Sequence, residues 1–294
     1  MSLTDDVSFK MGDMENRGYL KLYKHPPYMT CIIIALWCIV QSFRNPTFPD
    51  YQDDSFCFSS YRPFKTVFTY AFSHTDMLHI TFNSISMFFL GGFLEAVEGP
   101  FILLCIFASS VPMGACYYAL WKPKYLVRGA SGGCYGIMAA HISTMIMNWS
   151  EMPLRWFRLF ICTTVVGSEI IGRYFYRNPT IGYAVHFGGA IGGVTTAIIF
   201  VRNINVRCHE ITLLCMSTFV YFGSIIYVLL DGWWKPALGA SIVGTPLVLQ
   251  VIMTLKLYDY DDTHLEEDNS IFKISSWKKL FKKKNKSILP ENNF

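Results

Sequence analysis

The chain has 294 residues and a formal net charge of +4; 52% of it is hydrophobic and only 16% charged, against about 25% charged in ordinary globular proteins. Five windows carry no Asp, Glu, Lys or Arg: Gly99–Trp121, Gly129–Ser150, Asn178–Val201, Ile211–Leu230 and Pro236–Leu255. Each is long enough for a helical bilayer crossing, which takes roughly 20 mostly apolar residues. A water-soluble enzyme, a secreted disulfide scaffold and a disordered chain are excluded. An all-α polytopic membrane protein remains.

In chain order, residues 1–25 form a polar tail ending in His25-Pro26-Pro27, a helix-start signal. Span 1 is expected at about 28–43. The polar stretch 44–76 also holds Phe64, Val67, Phe68, Tyr70 and Phe72, so it reads as a folded loop at the membrane interface. Spans 2 to 7 are expected at about 77–94 (stopping at Glu95), 99–120, 131–149, 156–172, 182–201 and 211–230. Asp231-Gly232-Trp233-Trp234-Lys235 reads as an interfacial turn with an aromatic anchor. The segment 236–257 is long enough to cross, but Gly239, Gly244 and Pro246 weaken it. It is either an eighth crossing or a re-entrant, interfacial helix. Residues 258–294 form a charged tail, expected to be disordered, with seven lysines between Lys273 and Lys286.

That lysine cluster supplies most of the net charge, and the balance leaves no case for a nucleic-acid partner. The cluster reads either as an electrostatic contact with anionic lipid or as a merely solvated tail. None of the nine cysteines forms a C-x-x-C pair and most sit in apolar windows, so they read as small buried hydrophobes. With the N-terminus inside, eight Lys or Arg residues fall on each side of the first seven spans. The positive-inside rule then does not choose, although a crossing at 237–257 would add the tail lysines to the inner side.

Polar groups at membrane depth are costly and mark sites. His79 and Asn83 lie four residues apart, on one face of span 2. Gly129-Ala130-Ser131-Gly132-Gly133-Cys134-Tyr135-Gly136 leads into span 4, and His186 heads span 6 just before Gly188, Gly189, Gly192 and Gly193. A serine hydroxyl needs a base to become a nucleophile, and neutral imidazole is one. Glycines beside Ser131 let backbone approach a reacting carbonyl. Gly189 and Gly193 form a G-x-x-x-G face on which a neighbouring helix packs closely, bringing His186 toward Ser131. Taken singly, each feature has a plainer reading in helix packing, or for His79 and Asn83 in a solute path. Glu169 in span 5 is either a third acid or a snorkelling side chain near a helix end, and His141 lies too deep for a direct part.

The ordered set is similar to the rhomboid family of intramembrane serine proteases. Its carriers are His74 and His79-x-x-x-Asn83, then Gly91-Gly92-x-x-Glu95, Gly129-x-Ser131-Gly132 with Tyr135, and His186-x-x-Gly189-x-x-x-Gly193, spread over roughly 60–235. Gly129–Met152 and the passage through Arg202-Asn203 into a seventh span resemble the animal secretase-type, six-plus-one subfamily. The resemblance implies a six-helix core plus a seventh helix over 26–235, and an N-terminus in the cytosol. It implies Ser131 as nucleophile and His186 as base, with His79, Asn83 and the Ser131 N–H as oxyanion hole. Gly129 would shape that hole, Tyr135 would pack on His186, and Gly132, Gly189 and Gly193 would support the pair. It implies no metal or other cofactor.

The activity so implied is a serine endopeptidase cutting single-pass membrane proteins within or beside their transmembrane segments. The setting would be the plasma membrane or secretory pathway. One departure stands out: Lys65-Thr66 occupies the place of the family's Trp-Arg pair, which anchors the first loop at the lipid interface. The rival readings are a non-proteolytic relative that binds and escorts membrane clients, and, more remotely, a transporter or channel.

Overall fold

A computed structural model describes residues 25–43, 55–122, 124–149, 155–171, 174–175, 182–201 and 208–263, excepting the side chains of 157, 169, 208–211 and 253–263. The N-terminal tail to residue 24, the start of the first loop and the tail beyond Thr263 lie outside the described residues. The chain divides into two units, 1–252 and 253–294; of the second, helical backbone to Thr263 is described. The molecule is an all-α polytopic membrane protein, and the described residues hold no strand beyond one isolated bridge, Phe58 with Val127.

The long helices are α1 (Tyr28–Phe43), α2 (Met77–Glu98), α3 (Pro100–Trp121), α4 (Ser131–Asn148), α5 (Arg155–Ile171), α6 (Tyr183–Phe200), α7 (Cys208–Leu230) and α8 (Trp234–Thr263). By length and composition, α2, α3, α6, Thr212–Leu230 of α7 and Trp234–Ile252 of α8 are sufficient to cross a membrane. The α4 helix is more polar because protein surrounds it: His141, Ser143, Thr144 and Asn148 are all buried. No lipid-facing stripe is needed there.

Span 2 does not stop at Glu95. Its helix runs to Glu98 and ends at Gly99, whose φ of +94° favours glycine, with Pro100 opening α3. Glu95 is fully buried, and its carboxylate accepts from the Met29 and Thr30 N–H groups, both at 2.8 Å, and from the Thr30 hydroxyl at 2.7 Å. It thereby satisfies donors that the first turn of α1 leaves open. A π-helical turn, Met87–Gly91, interrupts α2. His141 Nε2 donates to the Leu90 carbonyl of that turn at 3.0 Å, which gives this buried histidine a structural partner.

The centre is a triangle of α3, α4 and α6 held at backbone distance. A Cβ on Gly189 would sit 2.1 Å from the Gly132 carbonyl oxygen, and one on Gly193 2.1 Å from that of Gly136. The next residues round α6 do the same toward α3: a Cβ on Gly188 would lie 2.5 Å from the Met113 oxygen and one on Gly192 3.0 Å from that of Ser109. Two small-residue faces, rather than the one expected, thus dock α6 on two neighbours. Gly136 closes the triangle, where a Cβ would fall 1.9 Å from Ser110 Oγ. Ser109 Oγ to Thr196 Oγ1 (2.7 Å) and Ser143 Oγ to the Val194 carbonyl (3.0 Å) tie the same helices.

Around this triangle, Met138, Met145 and Cys162 join α5 to α4, while Leu214, Tyr221 and Val228 of α7 pack with Ala237, Ala240 and Leu247 of α8. The α8 helix continues through Pro246. Gly239 and Gly244, read as weak points, are contact points against Val67 and Tyr221. The eight described cysteines are free, yet Cys31, Cys38 and Cys215 face outward from α1 and α7 instead of inward. The described part of the first loop, from residue 55, is part of the core. Phe58, Val67 and Tyr70 are buried, and a helical turn, Thr66–Thr69, leads into a 3₁₀ turn, Tyr70–Phe72.

Because the atoms facing Gly193 are backbone, they have no rotamer to give way. We expect Gly193→Ala to destabilise the protein by about 1–3 kcal/mol, seen as a lower thermal midpoint in detergent. An unchanged midpoint would contradict this packing.

Candidate active site

The segment before α4 is laid out by hydrogen bonds to the first loop. Phe58 and Val127 exchange N–H to carbonyl bonds at 2.8 and 2.9 Å, Gly129 N–H donates to the Tyr70 carbonyl at 2.9 Å, and Ala130 N–H donates to His74 Nε2 at 3.4 Å. Helix α4 then starts at Ser131. As the first residue of a helix, Ser131 has an N–H with no carbonyl inside its own helix. Gly129 has φ +123°, and a Cβ there would lie 2.5 Å from Cε1 and 2.7 Å from Nε2 of His79. Only glycine fits a backbone so conformed against that ring.

Across the glycine contacts, His186 Nε2 lies 2.8 Å from Ser131 Oγ. Tyr135, one turn beyond Ser131, stacks on the imidazole with centroids 4.3 Å apart and planes at 11°. Tyr183 meets it edge-on at 6.3 Å and 75°. Two rings therefore limit the imidazole's rotation. Ser131 and His186 are each only half-buried.

The third wall comes from α2. Asp76 caps this helix, its Oδ1 accepting the His79 N–H at 2.8 Å. Thr75 Oγ1 donates to Asp76 Oδ2 at 2.8 Å and lies 3.0 Å from His79 Nδ1. Having given its single proton to Asp76, the hydroxyl accepts from His79 Nδ1–H. The exposed Thr75–Asp76 pair thus governs which ring nitrogen of His79 carries the proton. The His79 N–H, and next the Thr75 hydroxyl, hold the Asp76 carboxyl below its usual range, with burial a smaller opposing influence. Asn83 follows one turn after His79 and is 6% exposed. Its Nδ2 is buried with no acceptor among the described residues, an arrangement that costs roughly 1–3 kcal/mol unless something else fills it. Cys134 Sγ contacts the Asn83 carbonyl at 3.7 Å, linking α4 to this turn.

The structure therefore brings Ser131, His186, Tyr135, Gly129, His79 and Asn83 to one place, while Gly132, Gly189 and Gly193 serve the helix contact behind it. The side chain of Glu169 lies outside the described residues. Tyr70, Thr75, Tyr183 and Val185 were missed as neighbours of the site. Val185 Cγ1 would be 2.7 Å from a Cβ on Gly132. Asp76, directly before an apolar helix, carried a readable capping signal; Tyr183, three residues before His186 on the same helix, carried a spacing signal.

Chemically, a hydroxyl within hydrogen-bond reach of an oriented imidazole is an activatable nucleophile. The helix-start N–H and an amide without an acceptor are donors suited to a developing oxyanion. We expect Gly129→Ala to displace the His79 ring and cost about 1–3 kcal/mol of stability, measured by chemical denaturation in detergent; a wild-type curve would contradict it. The Asp76 cap is complete above the ordinary carboxylate value and is lost as pH falls through the lowered one. The protection factor at the His79 amide, its exchange rate relative to an unprotected amide at the same pH, should therefore hold from neutral pH down through the ordinary carboxylate range and fall only below it. Protection that fails already near pH 6 would contradict the assignment.

Comparison with known proteins agrees on a single family. A Rhomboid domain model matches residues 61–203. Rhomboid-related protein 1 of Caenorhabditis elegans is 31% identical over 146 residues, 46% of this chain and 40% of that protein. Rhomboid-related protein 3 of Homo sapiens is 26% identical over 177 residues, 57% of this chain and 43% of that protein. A protein named inactive rhomboid-related protein 2, from Caenorhabditis elegans, also matches, at 26% over 142 residues, 47% of this chain and 40% of that protein. The chain spans about two fifths of the length of these curated relatives.

Proposed function

Given that the chain belongs to the rhomboid family, we propose that it is an intramembrane serine endopeptidase acting through a Ser131–His186 dyad. The observation that carries this reading is the 2.8 Å approach of His186 Nε2 to Ser131 Oγ between two different helices. Ser131 Oγ attacks the peptide carbonyl carbon while its proton passes to His186 Nε2. The resulting oxyanion takes hydrogen bonds from the Ser131 N–H and Asn83 Nδ2, and from His79 Nε2 when that nitrogen carries a proton. Collapse breaks the C–N bond, the His186 proton leaves with the amine, and an acyl ester remains on Ser131. Water then attacks the ester with His186 again as base, releasing the acid and restoring the hydroxyl. The chemistry needs no metal or other cofactor.

The substrates are single-pass membrane proteins. A helical substrate shields its carbonyls within its own hydrogen bonds, so those with helix-weakening residues near the outer face and a small residue at the cut are favoured. The N-terminus is cytosolic, and the protein resides in the secretory pathway or plasma membrane as a member of the animal secretase-type subfamily. The similarity to a relative named inactive rhomboid-related protein 2 keeps a second reading, client binding without cleavage.

Cleavage of a single-pass reporter by the detergent-solubilised chain separates the two. The wild type should cut it, Ser131→Ala and His186→Ala should abolish turnover, and Asn83→Ala should lower kcat by about 10²–10³-fold. Equal cleavage by wild type and Ser131→Ala, or none by either, would overturn the protease reading.

A further inference from the structure

We infer that α8, with Trp233 just before it, is the anchor of the first loop and, through it, of the Gly129–Ser131 backbone, so that Trp233, Lys235 and Gly239 are positioning residues for Ser131. Lys235 Nζ donates to the Arg62 carbonyl at 2.9 Å. Trp233 receives Tyr61 edge-on, with centroids 5.6 Å apart and planes at 89°, and its indole N–H donates to Asp231 Oδ2 at 2.9 Å. At Gly239 the helix lies directly on the loop, since a Cβ there would come within 2.7 Å of Val67 Cγ1 and 3.3 Å of Phe68 Cζ. The base of this anchor is fixed in turn: Tyr221 of α7 donates to the Ala240 carbonyl at 3.1 Å.

From Val67 the route to the nucleophile is short. Val67 is 0% exposed, and Tyr70 follows one helical turn later. Tyr70 accepts the Gly129 N–H on its carbonyl and donates its hydroxyl to the Val111 carbonyl at 2.8 Å. Gly129 is two residues from Ser131. The same loop grips the segment a second time through the Phe58–Val127 pair. Lys65 and Thr66, which stand where the resemblance implies a lipid-anchoring pair, bond within the loop instead. Lys65 Nζ reaches Ser55 Oγ at 2.9 Å, and Thr66 Oγ1 reaches the Pro63 carbonyl at 2.7 Å. Both side chains are engaged within the loop, and α8 supplies a hold on it from outside.

The inference rests on the protease reading for its activity readout alone. In full-length protein, Gly239→Ala pushes against Val67, a β-branched side chain with little rotamer freedom. It should slow Ser131 acylation by a fluorophosphonate and lower kcat on the reporter by about ten- to a hundredfold, with KM nearly unchanged. Adding Val67→Ala makes room, and the double variant should recover to within about threefold of the wild type. Lys235→Met should speed hydrogen exchange at the Val127 and Gly129 amides while leaving α6 amides protected. This arm decides the matter if Gly239→Ala does not fold. Wild-type acylation and amide protection in a folded Gly239→Ala protein, or unchanged exchange in Lys235→Met, would overturn the inference. If the wild type itself neither acylates nor cleaves, the protease reading fails, and the exchange measurement still tests the anchor.

Discussion

Everything in this molecule depends on two helix backbones touching. Between α4 and α6 there is no room for a single methyl group at Gly132–Gly189 or Gly136–Gly193. A glycine inside a helix gives up about 0.5–1 kcal/mol relative to alanine, and α6 carries four in one stretch. In lipid, apolar side chains have no hydrophobic reason to leave the tails for each other, so close van der Waals contact and interhelical hydrogen bonds supply the cohesion. The contact also fixes geometry. Ser131 lies one residue before Gly132 and His186 three before Gly189, so the helix pair delivers hydroxyl to imidazole within hydrogen-bonding range.

Much of this was legible in the residues. Charge-free windows marked five of the eight long helices, α3, α4, α6, α7 and α8, because a charged group is expensive in hydrocarbon, and the spacing of His79 with Asn83 put both on one face. The G-x-x-x-G after His186 announced one close contact. The second, through Gly188 and Gly192 to α3, was present in the same run but was hidden by its overlap with the first. Glu95 looked like the end of a helix because a carboxylate in a span reads as a boundary. Its actual task, capping α1, requires knowing that α1 begins beside it.

The rest was illegible for the same reason: long-range contacts. Gly239 and Gly244 looked like helix breakers, yet each is a place where another segment lies against α8. Likewise, the polar stretch 44–76 was expected to be a folded loop at the membrane interface. Its Phe58, Val67 and Tyr70 instead fill the core beside the site, and its backbone carbonyls orient the approach to Ser131. Small residues and loop aromatics state that something packs tightly without stating what.

Site and scaffold meet at one short contact, and its chemical competence is directly measurable. Purified chain treated with a fluorophosphonate and examined by peptide mass spectrometry should carry one adduct on Ser131, and folded His186→Ala protein should carry none. A folded wild type left unmodified at Ser131, or equal modification with and without the imidazole, would contradict the account.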